Sequence, residues 1–206
     1  IRTASRIYVN GEAIGGSGQP GMNPNTTTAG NIPYLGYFKL QGSEAVIDVQ
    51  VANYSYASGG LIYPLWFGTQ DEIAYGREWK LFEYWLTAGG FLIPALFLLL
   101  FYRLRRREAP LLQLGGFCVC GLVFALTHGE KAVLALLPVD YELVLRTQLI
   151  SSGFVYYFLV RYVVLLYPSF GVRAMDRLML VMALGTGLAG VTLPTVVFSR
   201  GEAVLL

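Results

Sequence analysis

Leu81-Phe-Glu-Tyr-Trp-Leu-Thr-Ala-Gly-Gly-Phe-Leu-Ile-Pro-Ala-Leu-Phe-Leu-Leu-Leu-Phe-Tyr-Arg-Leu-Arg-Arg-Arg107 decides how the chain is read. About twenty apolar residues, Leu81 to Tyr102 with one carboxylate at Glu83, end in Arg103, Arg105, Arg106 and Arg107. About twenty such residues in a helix cover the hydrocarbon core of a bilayer. A dense arginine cluster at one end of a span marks its cytoplasmic side. Residues 1–80 are therefore expected on the extracytoplasmic side, with the chain entering the membrane near Leu81. Contact of the arginines with anionic headgroups is a second reading, and topology is the simpler one.

The composition agrees. Of 206 residues, 55% are hydrophobic and 14% charged, against roughly 25% charged in an average soluble domain. The formal net charge of +2 is too small, and its arginines too local, for a nucleic-acid surface. Cys118 and Cys120 are the only cysteines. Two positions apart on a helix they point about 200° away from each other, so they read as small packing residues. Ile1 is not an initiator Met, and no signal peptide precedes a module that needs export. The chain is expected to begin inside a longer protein.

Downstream of the first span (81–102), apolar stretches at about 111–128, 143–167 and 178–198 predict three more. The segments 103–110 and 168–177 then lie inside, and 129–142 and 199–206 outside. The inner set carries Arg173 and Arg177 besides the first cluster, and the outer set carries Lys131 and Arg200, which fits the same orientation. Gly89, Gly90 and Pro94 in the first span suggest close helix contact or a mild kink. Ala183, Gly187, Gly190 and Pro194 form a small-residue stripe on the fourth, for docking on the other spans or on helices beyond these.

Residues 1–68 read as β structure. Asn10-Gly11 between Arg6–Val9 and Glu12–Ile14 is a hairpin signal of the type I′ kind. Residues 15–31 read as a loop, Tyr34–Leu40 as a strand, and Ala45–Asn53 as a half-buried strand with Ile47, Val49 and Val51 on one face. Leu61–Phe67 reads as a last strand, with Pro64 pointing to an edge or bulge. About five strands make half of a two-sheet sandwich, so a jelly roll truncated before Ile1 is expected. Residues 69–80 form a short charged connector without a flexible Gly/Ser stretch. The expected fold class is thus a membrane α-helical bundle preceded by a truncated all-β jelly roll, divided as 1–68, 69–80 and 81–206.

Candidate ligand-binding residues are Tyr34, Asp48, Asn53, Tyr54, Tyr56 and Trp66: aromatic faces with polar edges suit a carbohydrate. Packing of the same aromatics in a sandwich core is the competing reading. In the spans, Glu142 and Arg146 are one turn apart, and His128 and Glu130 close the second span on the same side. The expectation is one polar cluster of His128, Glu130, Glu142 and Arg146 locking the second and third spans, with Glu130→Ala lowering stability. Arg161, nearer the inner end, is expected to snorkel. A single histidine excludes multi-His metal sites, and Ser151-Ser152-Gly153 lacks a nucleophile motif. No catalysis, metal or cofactor is expected of these residues.

Several segments in order resemble one family: Ile7-Tyr-Val-Asn-Gly-Glu12, Val46-Ile-Asp-Val-Gln-Val-Ala-Asn53, Ser58-Gly-Gly-Leu-Ile62, Gly89-Gly-Phe-Leu92, Tyr102-Arg-Leu-Arg-Arg-Arg107, His128-Gly-Glu130, then Leu137-Pro138, Tyr141-Glu-Leu143 and Arg146. The chain is similar to bacterial seven-transmembrane receptors with diverse intracellular signalling modules (the 7TMR-DISM family). The resemblance implies a jelly-roll sensor outside the inner membrane, seven spans of which four lie here, and a cytoplasmic output such as a histidine kinase, diguanylate cyclase or phosphatase beyond Leu206. Partners expected on this reading are the bilayer, a small or carbohydrate ligand, the output domain and a second copy of the chain, with no nucleic acid. Two other functions compete: a membrane-anchored carbohydrate-binding or surface protein, and a transporter or channel subunit. One span suffices for an anchor, and the spans hold polar residues mainly near their ends, which weighs against both.

Overall fold

The computed structural model describes residues 3–61, 64–105, 108–131, 133–136, 139–168 and 170–205. Ile62 and Tyr63 of the expected last strand, Arg106 and Arg107 of the arginine cluster, and Leu137-Pro138 lie outside the described residues. The chain divides into two compact units, residues 1–78 with 194–206, and residues 79–193.

The first unit is built on a three-stranded antiparallel sheet of order β2-β1-β3, with β1 Ala4–Val9, β2 Glu12–Ser17 and β3 Ile47–Ala52. Asn10 (φ 51°) and Gly11 (φ 83°) make the turn between β1 and β2. Positive φ at both central positions is the type I′ requirement the sequence pointed to. The register slips between Ile7 and Tyr8, which marks a bulge. The loop expected at 15–31 begins later, because Gly15, Gly16 and Ser17 continue β2. Its remainder is ordered by a Gln19–Thr28 bridge and by Asn23, which caps a short 3₁₀ turn at Pro24–Thr26.

Two expected strands are absent from the described residues. Tyr34–Leu40 has no ladder. It is held by side chains instead: the Ile32 N–H donates to Ser17 Oγ at 2.8 Å, and Tyr34 Oη lies 3.4 Å from Ser5 Oγ. The Tyr34 ring passes close over Gly15, where a Cβ would sit 2.7 Å from it. Leu61 and Pro64–Phe67 also form no strand; Pro64 has no N–H to give to a ladder. β3 keeps the alternation read from its sequence, but Ile47 and Val51 on its apolar face are exposed. The described residues thus form a small three-stranded sheet rather than five strands.

α1 is one helix from Gln70 to Leu104, 35 residues or about 52 Å long. Thr69 and Glu72 start it. Thr69 N–H and Oγ1 donate to Glu72 Oε2 at 3.2 and 2.8 Å, and Glu72 N–H returns to Thr69 Oγ1 at 3.4 Å, the reciprocal capping box. The charged connector is therefore helical and continuous with the first span. The excess over a hydrocarbon core of about 30 Å is its polar start. Within the first unit, Arg77 Nη2 donates to Pro33 O at 3.5 Å.

α2 (Ala109–Thr127), the single turn α3 (Val133–Leu136), α4 (Tyr141–Leu166) and α5 (Phe170–Thr192) complete the second unit. Helices α1, α2, α4 and α5 are long and apolar enough to cross a membrane, the pattern of a multi-pass membrane protein. Neighbours are antiparallel. Close contact in the α1–α2 pair is made by glycines of α2, not by Gly89 and Gly90, around which a Cβ would meet open space. A Cβ at Gly121 would lie 2.6 Å from Phe91, and one at Gly115 3.0 Å from Leu99. Gly116 receives Phe158 of α4 in the same way, at 2.8 Å. Small residues let helix backbones approach where lipid supplies no hydrophobic driving force. Cys118 is buried, and both thiols are free.

The small-residue stripe of the fourth span docks on α4. Ala183 is fully buried, Gly187 faces Phe154, and Gly190 faces Ile150. Pro194 does not belong to that stripe, because α5 ends at Thr192. A proline has no N–H for the carbonyl four residues back and its ring clashes there. The fourth span therefore runs earlier than 178–198. The residues after Pro194 form a separate helix, α6 (Thr195–Leu205), which belongs to the first unit. There the Ala57 N–H donates to Ser199 Oγ at 2.9 Å, across 142 positions of sequence.

Candidate functional site

Several of the six residues singled out as ligand-binding make local structural contacts. Asn53 is a turn former: its amide donates to Tyr56 O at 2.9 Å, and its Oδ1 accepts from Tyr56 N–H at 3.1 Å. Tyr56 is buried. Tyr54 Oη donates to Met22 O at 2.8 Å, and Tyr34 packs on β1 and β2 as described. Trp66 is 75% exposed. Asp48 alone lies on a surface with the makings of a site.

That surface is the polar face of the sheet. Cross-strand register sets Arg6 opposite Gln50 and Tyr8 opposite Asp48, so all four side chains leave the same face. Tyr8 Oη donates to Gln50 Oε1 at 3.3 Å. On the β2 side the same positions meet Gly16 and Ala13, which leaves the backbone bare. Two shallow depressions result, one lined by Arg6, Ala13, Gly16 and Gly18, the other by Tyr8, Gly11, Asp48 and Gln50. A guanidinium, a carboxylate, an amide and a phenol ring offer donors, acceptors and one stacking surface to a small polyhydroxylated ligand. Of these four, Asp48 was among the expected ligand residues; Arg6, Tyr8 and Gln50 join it through cross-strand register.

The second polar region lies in the second unit, at the α2–α4 end. The expected single cluster is two separate sets. His128 stacks on Phe124 with ring centroids 5.1 Å apart, and its Nδ1 meets Gln148 Nε2 at 2.8 Å. An amide nitrogen donates, so in this pairing Nδ1 is the acceptor. Arg146 pairs with Glu142 at 3.5 Å, a long contact between part-exposed groups that contributes little. The stronger role of Arg146 is to donate Nη1 to Gly190 O at 2.9 Å and Val191 O at 3.1 Å. Pro194 cannot supply the N–H that the Gly190 carbonyl would receive in a continuing helix. Arg146 satisfies that orphan with a charge of the sign favoured at a helix C-terminus. Glu130 belongs to neither of these two sets of contacts among the described residues.

Three features of the bundle lay outside the sequence reading. Lys131, expected in an outer loop, is 6% exposed, has φ 52°, and holds Nζ 5.8 Å from the centre of the Tyr141 ring, within reach of a cation–π attraction. Gly129, at φ 58°, packs against the Tyr84 side chain of α1. Arg161 does not simply snorkel: its Nη1 meets Asp176 Oδ2 of α5 at 2.6 Å. Asp176 is mostly buried, and its Oδ1 has no hydrogen-bond partner among the described residues. An earlier start for the fourth span would have shown Asp176 as a carboxylate inside it.

No family model, curated protein or solved structure matches this chain.

Proposed function

We propose that the chain is the sensory and transmembrane portion of a bacterial signal-transduction receptor, with the β unit extracytoplasmic and the helices in the inner membrane. The observation that carries this reading is α1: one capped, unbroken helix begins among the residues of the β unit and continues as the first span. A helix without a flexible break transmits a displacement that a loose linker absorbs. Four candidate spans, with α2 packed on α4 and α4 joined to α5 by an ion pair, also exceed what an anchor needs. The ordered resemblance to seven-transmembrane receptors with intracellular signalling modules supports the same function.

The ligand on this reading is a small polyhydroxylated molecule, a carbohydrate first, held on the Arg6–Tyr8–Asp48–Gln50 face. It biases the helices only by its differential affinity for their two arrangements. The bias would pass to a cytoplasmic kinase, cyclase or phosphatase. The grouping of α6 with the β unit favours an even number of spans between them, so a cytoplasmic output requires an odd number of further spans. Reading the gene beyond the Leu206 codon tests this. Three more spans followed by an output domain are expected. A stop codon there would favour an anchored binding protein without signalling.

A further inference from the structure

We propose that the α1–α2 and α4–α5 turn end of the bundle binds anionic phospholipid headgroups, with Arg173 and Arg177 of α5 as the principal contacts. The antiparallel contacts Leu99–Gly115, Phe158–Gly116 and Arg161–Asp176 bring the end of α1, the start of α2, the end of α4 and the start of α5 to one end. The described arginines there are Arg103, Arg105, Arg161, Arg173 and Arg177, against two carboxylates, Glu108 and Asp176. The opposite end of the same unit has Lys80, Lys131 and Arg146 against Glu83, Glu130, Asp140 and Glu142. The imbalance is confined to one end.

Asp176 lies between Arg173 and Arg177 in sequence, yet its carboxylate is turned to Arg161 on α4. Arg173 and Arg177 are exposed and make no ion pair among the described residues. Their placement is unfavourable twice over. They are one turn apart on the same helix face, where like charges repel, and Arg173 sits in the first turn of α5, where the helix dipole disfavours cations. An anion at this position reverses both terms.

The row that starts at Arg173 and Arg177 continues along α5 as Leu180, Leu184, Leu188 and Val191, all exposed. Two cations above an open apolar stripe match an amphiphile with an anionic head and acyl chains. A free phosphate would use only the upper part. An arginine near a membrane surface contributes about a fivefold preference for anionic over neutral lipid.

The test is native mass spectrometry of the chain released from nanodiscs holding equal amounts of phosphatidylglycerol and phosphatidylcholine. Bound phosphatidylglycerol is expected to exceed phosphatidylcholine several-fold. Arg173→Gln/Arg177→Gln is expected to cut that excess about fivefold or more, while Arg173→Lys/Arg177→Lys, which keeps the charge and controls for folding, retains most of it. Equal binding of the two lipids by the unaltered chain would overturn the proposal. So would an unchanged excess in the glutamine variant, or displacement of the lipid by inorganic phosphate.

Discussion

Replacing Asp176 by Leu is expected to lower the stability of the detergent-solubilised protein by about 2–3 kcal/mol. Removing one partner of a buried ion pair leaves the other charge uncompensated, at about 3–5 kcal/mol in fully buried cases. Arg161 keeps 37% of its side-chain surface exposed and can shift its guanidinium toward water, so the lower figure applies. The double replacement Arg161→Leu/Asp176→Leu is expected to recover most of the loss, because two apolar side chains need no partner. Unfolding titrations of the two single variants and the double variant measure the coupling directly. Additive losses would mean that the 2.6 Å contact does not join α4 to α5 energetically.

Gly129→Ala is the second large effect. The residue sits at φ 58°, and a side chain there costs about 1–2 kcal/mol in backbone conformation alone. The new Cβ would also overlap the Tyr84 side chain, and forcing extra volume into a packed site adds about 1–3 kcal/mol. The expected total is roughly 2–5 kcal/mol. In a Tyr84→Ala background the same substitution should cost only the backbone part. An equal cost in both backgrounds would remove Tyr84 from the account of this loop and with it the tie between α1 and the α2–α4 connection.

Much of this architecture was legible in the residues, for identifiable reasons. Asn10-Gly11 specifies its turn through backbone conformation, a local property, and the spans are set by a run of apolar residues that no tertiary contact needs to complete. Ile47, Val49 and Val51 likewise announced β3. The failures have one source, interactions between segments distant in sequence. Tyr34–Leu40 has strand-like composition, but whether it enters a ladder depends on what lies beside it, and there it meets side chains and Gly15 rather than an open edge. Asp176 read as a loop residue because the apolar stretch was counted from 178; its partner lies fifteen residues earlier on another helix. The role of Arg146 could not be inferred from Glu142 one turn away. It follows from Pro194, 48 positions on in the sequence, which strips the Gly190 carbonyl of its donor. Candidate ligand residues are hard to read from sequence because the same side chains serve turns and packing as readily as binding, as Asn53 with Tyr56 shows. The Arg6, Tyr8, Asp48 and Gln50 face is defined by pairing register, which a single strand's sequence does not contain.

The central proposal is that residues 1–78 are exported and that the arginine cluster after the first span is cytoplasmic. Labelling of single cysteines by a membrane-impermeant maleimide in intact cells tests it most directly, with Cys118 and Cys120 replaced by Ala. Asn25→Cys and Arg200→Cys, both exposed in the first unit, should label from outside. Arg105→Cys, after the end of α1, should label only once the membrane is permeabilised. Labelling of Arg105→Cys from outside, or of Asn25→Cys and Arg200→Cys from opposite sides, would contradict the account.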